Sequence, residues 1–211
     1  MTDPTHEPPA DPTDPAKATL LRYLRGTREA LLWKTEGLSE RALRTPRTGT
    51  GTNLLGLVKH AASVEVGYFG ETFGRDWPTP QELSWTERWD EEPNADFYAE
   101  PHESADDLRD LYRRVGAFAD ETIETLPLDA PGRVPWWGER GEVTLHQVCV
   151  HVLADLQRHA GHADILREQI DGAVGLQEGN TNIWPVDWPA YLARLHAIAD
   201  RFPGPDEEDR T

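Results

Sequence analysis

His151-Val-Leu-Ala-Asp155-Leu-Gln-Arg-His159-Ala-Gly-His162-Ala-Asp164-Ile-Leu-Arg167-Glu168 reads as the body of one helix. Thr144-Leu-His-Gln147 supplies a capping box ahead of it, and Asp171-Gly172 ends it with a glycine at the C-cap. With Leu145 set at zero and a step of about 100° per residue, Val152, Leu156, Ala163, Leu166 and Ile170 define a buried face. His159 falls at about −40°, inside that face, with Asp155, His162 and His151 along one flank at about −80°, −100° and −120°. A helix that turns imidazoles and a carboxylate toward its own core calls for an ion, a proton or a substrate.

Axial rise limits which of these groups can share an ion. His151 and His159 stand about 12 Å apart along the helix, too far for one metal. Asp155 and His159 are one turn, about 6 Å, apart, the i,i+4 spacing at which two side chains can chelate one ion. His162, about 4.5 Å from His159 along the axis, is the reserve ligand.

Working outward, Leu20, Leu21, Leu24, Leu31 and Leu32 predict a helix over 16–35, followed by a short turn capped by Ser39. A second long helix is expected over 53–73, started by Thr52 or Asn53, with Leu54, Leu57, Val58, Ala61, Val64, Tyr68 and Phe69 as its apolar sector. His60 sits at the margin of that sector and is the natural third ligand. Glu65 projects into its middle. Ser104-Ala-Asp-Asp107 opens a third helix over 104–126, and a last helix is expected over 189–201. Residues 74–103 have no helical stripe but hold Trp77, Trp85 and Trp89, and loops of such length are often functional. Residues 127–142 carry Trp136-Trp137 and room for a short extended stretch. Strand-like alternation is nearly absent, so the expected fold is all-α: a four-helix bundle with long loops and an extra C-terminal helix.

The organisation follows from composition. Residues 1–15 and 203–211 are acidic and proline-rich and read as a disordered leader and tail around one domain at 16–202. A net charge of −17 argues against nucleic acid and against anionic membranes, both of which recruit Lys and Arg. No segment reads as a signal peptide or a membrane span, and the lone Cys149, on the apolar face of its helix, fits an inert thiol in a reducing cytoplasm.

Two histidines and one carboxylate around an open position describe a zinc site of the hydrolytic or transferase kind, with nickel and ferrous iron using similar ligands. The competing reading of the same residues is a hydrogen-bonded structural network.

Asn53-Leu-Leu-Gly-Leu-Val-Lys-His60-Ala-Ala, together with Trp137-Gly138 through Gly172, resembles the DinB superfamily. The likeness is greatest to the branch catalogued as a DinB-like domain of unknown function (DUF664), and it covers roughly residues 16–200. In that superfamily one histidine comes from the second helix, as His60 does here, and a pair spaced by four comes from the last long helix. His159-Ala-Gly161 matches the second member of the pair. Asp155 stands where His or Glu is commoner, a departure that leaves His162 as its rival. The resemblance implies metal-dependent chemistry on a low-molecular-weight thiol, mycothiol for this branch, attacking a small electrophile. It also leaves open a homodimer formed through helix faces.

Around that core, Glu65 is a candidate proton acceptor or a carboxylate paired with Arg158 or Arg167. Arg167 is either the ion-pair partner of Asp164 or a cofactor contact. Trp136 and Trp137 either cover a bundle end or form a wall for the cofactor or electrophile. Two other functions stay open: a non-catalytic bundle that binds a small molecule or a partner, and a metal-assisted hydrolase with Glu65 as base.

Overall fold

The computed structural model describes residues 14–202 apart from Asn182. Most of the expected leader and all of the expected tail lie outside the described residues. Asp14 and Pro15 belong instead to the first helix, where the Asp14 carboxylate accepts from the Ala16 amide and Pro15 takes the first helical position.

Four long helices build the bundle: α1 (Pro15–Trp33), α3 (Leu54–Phe69), α4 (Ala105–Thr125) and α5 (Leu145–Asp171). Between the first two lies the short α2 (Glu40–Arg44), and α6 (Trp188–Ala199) follows α5. Side-chain caps set the starts. Asn53 accepts from the Gly56 amide at 2.8 Å, Ser104 from Asp107 and Thr144 from Gln147, each satisfying one of the free N–H groups of a first turn. Gly172 closes α5 in the left-handed conformation at φ 77°. The chain is mostly helical; a two-stranded antiparallel ribbon, β1 (Pro131–Arg133) and β2 (Glu142–Thr144), joins α4 to α5 and carries Trp136 and Trp137 in its connection.

Helix α3 is the centre of the molecule. It is apolar nearly all round and buried along most of its length, packed between α4 and α5. Leu24 and Leu31 of α1, Leu55 and Val58 of α3, Val115 and Ala119 of α4, and Val148, Val152 and Leu156 of α5 meet in one core. This packing brings the middle of α3 against the middle of α5, which is where the histidines lie. Among the described residues no helix is long and apolar enough to cross a membrane.

The long segment after α3 is wound rather than loose. It forms 3-10 turns at Glu71–Phe73 and Pro80–Arg88 and then lies along α3 as a strap. Trp77 and Trp85 are buried in it, and Trp85 donates its indole N–H to Ser63 at 2.8 Å. Buried Lys59 fastens the strap from below: its ammonium donates to the Tyr98 carbonyl and the Glu103 carboxylate and lies 4.3 Å from the Trp85 ring. Asn53 adds a donor bond to the Phe97 carbonyl. These fastenings lay Asp96 and Phe97 directly over His60.

Gly56 permits that approach, since a Cβ there would stand 1.9 Å from the Phe97 carbonyl oxygen. Gly56→Ala is therefore expected to lift the strap, at a cost of about 1–3 kcal/mol for overpacking against backbone. A urea titration measures the cost, and the tryptophan fluorescence of the folded protein reports the movement of Trp85.

Helix α6 is the extra C-terminal helix, and none of its residues is buried. Trp184, ahead of it, is 87% exposed and covers no bundle end.

Candidate metal centre and adjoining cavity

His60 projects from α3 toward Asp155 and His159, which stand one turn apart on α5. One ligand atom from each lies within 4.8 Å of the others. Asp155 Oδ2 is 3.9 Å from His60 Nε2 and 3.7 Å from His159 Nε2. Both separations are too long for hydrogen bonds, and the oxygen is buried without a hydrogen-bond partner. Buried His159 Nδ1 is likewise unpartnered.

Ligand bonds of about 2.0–2.2 Å in a tetrahedral set would put donor atoms roughly 3.3–3.6 Å apart. The two separations from Asp155 exceed that by a few tenths of an ångström. Two imidazoles and a carboxylate are also a donor set that zinc, nickel or ferrous iron accepts. The residues present therefore fit a divalent ion.

The surroundings hold the histidines in a form that could ligate an ion. Asp96 accepts from His60 Nδ1 at 2.8 Å if that nitrogen carries the proton, which turns the Nε2 lone pair toward Asp155. Phe97 stacks on the His60 ring at 4.0 Å and fixes its plane. Burial, reinforced by the neighbouring His60, holds His159 below the usual histidine value against the pull of Asp155. The imidazole is thereby kept neutral at neutral pH. His162 is exposed and 5.5 Å, centroid to centroid, from His159; the three-residue cluster does not include it.

Beside the cluster opens a cavity of about 470 Å³, within the range of small-molecule sites. His60 and Asp155 contribute to its lining, as do Tyr68, Trp89, Trp136 and His151. His151 is not part of the three-residue cluster, yet it lies one turn before Asp155 and borders the same cavity.

A family model described as mycothiol-S-transferase matches residues 19–172. The chain belongs to the mycothiol-S-transferase family. That membership agrees with the DinB resemblance, and the match runs from α1 to the end of α5, leaving α6 outside it. No curated protein matches the chain.

In this mycothiol-S-transferase family member two expected site residues lie elsewhere. Glu65 is fully buried and does not line the cavity. Both its oxygens accept from Arg28 Nε, at 3.0 and 2.8 Å, and Arg28 also donates to Asp120. The ion-pair alternative is the observed arrangement, with Arg28 rather than Arg158 or Arg167 as partner. A wheel drawn on α3 gives the direction of Glu65 but not which residue of α1 faces it. Arg167 is no cavity contact either. Its guanidinium donates to the carbonyls of Trp33, Lys34 and Glu36, closing the end of α1, and pairs with Asp171 at 2.8 Å. Asp164 pairs with Lys34 instead.

Of the two tryptophans, one stands at the cavity and the other beside His151. Trp136 lines the cavity and is half exposed, while Trp137 packs edge-on to His151 at 4.9 Å. Asp96, Phe97 and Tyr68 are the residues that sequence reasoning did not single out for the site. The first two lie in the strap, where only the length of the segment signals function, and Tyr68 is indistinguishable in sequence from the rest of the apolar stripe of α3.

Cys149 is buried, and that burial pushes its thiol up to about 12. The native protein at pH 8 is expected to resist iodoacetamide, whereas the urea-unfolded chain takes up one equivalent. Mass spectrometry of both samples checks this.

Proposed function

We propose that this chain is a metal-dependent thiol S-transferase in which His60, Asp155 and His159 hold one divalent ion, with mycothiol as the thiol and a small electrophile as its partner. The observation that carries the reading is the buried, unpartnered Asp155 oxygen between two imidazole nitrogens, next to an open cavity. An ion bound there would supply a Lewis-acid position that favours thiolate over thiol. Two neutral imidazoles and one carboxylate leave a net positive charge on a divalent ion, which suits an anionic fourth ligand. The family description supports mycothiol as the thiol.

The chain's own residues do the rest. Asp96 orients His60 and Phe97 fixes its ring, while the strap shields that side of the site from water. The cavity, bordered by Trp89 and Trp136, takes the body of the electrophile. Asp96→Ala is expected to weaken metal binding by about 10–100-fold, measured by competition with a chromogenic chelator.

The hydrolase reading loses support because its base, Glu65, is committed to Arg28 away from the cavity. The deciding experiment compares chelator-treated and zinc-reconstituted protein, each with mycothiol, with glutathione and without thiol, against a panel of electrophiles. The proposal expects conjugation that needs both metal and mycothiol. Turnover without thiol would instead indicate hydrolysis, and no turnover with any thiol would favour a binding bundle.

A further inference from the structure

We infer that Tyr68 and His151 form an oxygen-recognising pole in the cavity, selecting a planar, carbonyl-bearing ligand. The two residues come from different helices and meet at 3.0 Å, Tyr68 hydroxyl to His151 Nε2. The Trp136 indole N–H, which can only donate, reaches the same hydroxyl at 3.4 Å. With the proton on His151 Nε2, the tautomer imidazole favours in water, the phenol oxygen accepts two hydrogen bonds. Its own hydrogen is then the one left without a partner, and the cavity is the space beside it.

The surroundings favour a flat ligand. Trp136 is seated against Gly67, where a Cβ would come within 2.9 Å of the indole ring, and it meets the Tyr68 ring edge-on at 5.1 Å. Trp89 and Phe97 complete the aromatic lining, with Val64 and Val66 as its aliphatic part. A planar π-system fits such walls, and one carbonyl oxygen satisfies the free phenol donor. On α5, His151 lies one turn, about 6 Å, from Asp155, so a ligand held by its oxygen at this pole would extend toward the histidine cluster.

Combined with the thiol-transfer reading, on which this part rests, the pole gives a defined role to the oxygen of a conjugated carbonyl. As a thiolate adds to the β-carbon, the C–S bond forms and the C=C π pair shifts through the conjugated system onto that oxygen. Tyr68 donates its hydrogen bond and then its proton there, while His151 passes a replacement proton from solvent, where the thiol had released its own. A donor that strengthens its bond as charge develops lowers the barrier as well as selecting the ligand.

The test needs neither metal nor thiol. Binding of 2-acetonaphthone and of 2-ethylnaphthalene, alike in shape but differing in the carbonyl, is measured by ligand-observed NMR. Native protein is expected to prefer the ketone by about three- to tenfold, the worth of one net hydrogen bond. Tyr68→Phe should abolish that preference and keep the hydrocarbon affinity. His151→Ala should reduce the preference, and His151→Gln, with an amide N–H near the Nε2 position, should restore it in part. A preference that survives Tyr68→Phe, or none in the native protein, overturns the inference. Metal content of the same preparations, which Tyr68→Phe should leave unchanged, reports separately on the thiol-transfer reading.

Discussion

His159→Ala should purify folded but with less than about a hundredth of the native metal affinity, beyond the 10–100-fold typical of losing an outer partner such as Asp96. His159 is the deepest of the three groups and the one whose ring burial holds neutral. Its removal leaves Asp155 and His60 on separate helices with no chelate turn between them. Thiol transfer is expected to fall in proportion to bound metal. His162→Ala is the matched control, because an exposed ring outside the cluster should leave the metal content unchanged. Inductively coupled plasma analysis of the three proteins, purified side by side, gives the comparison. Equal loss in both variants would shift the site toward His162.

The second large effect belongs to stability. Glu65→Ala should cost about 3–5 kcal/mol, the usual consequence of leaving one member of a buried pair uncompensated. Arg28 is 6% exposed and would retain only Asp120. Against a total stability of roughly 5–15 kcal/mol, that is a large share, and a urea titration reads it directly. Glu65→Gln separates the scaffold role from a catalytic one. Loss of a general base would cut turnover by about 10²–10⁴ with little change in stability. A structural carboxylate gives the reverse, a lower urea midpoint with turnover of the folded fraction reduced by less than about tenfold.

These two residues show what could be read from the chain and what could not. Helix periodicity and caps placed α1, α3, α4 and α5 because Asp155 and His159 sit on an uninterrupted pattern between Thr144 and Gly172, and Asn53 and Ser104 announce the others. The i,i+4 pair could be recognised because one helix fixes its geometry. His60 could be found because its helix was also legible and the bundle has few faces on which to place it. Asp96 could not. It lies in a strap whose path depends on Lys59, Trp85 and the missing side chain of Gly56, none of which carries a period. Glu65 and Arg167 misled for a related reason: a charged group on a buried face has a direction, but its partner comes from a neighbouring helix whose rotation no single-helix pattern fixes. Axial rise separates His151 from His159, but rise along one helix says nothing of a cavity shared between two.

Cobalt substitution reads the ion and its thiol at once. Protein loaded with one equivalent of cobalt(II) is titrated with mycothiol, and the near-ultraviolet and visible spectra are recorded for the native chain and for Asp155→Ala. A thiol-binding ion held by His60, Asp155 and His159 predicts a thiolate-to-cobalt charge-transfer band that saturates at one thiol per chain and is lost in Asp155→Ala. A native protein that takes up no cobalt, or binds it without a thiolate band at any mycothiol concentration, would contradict it.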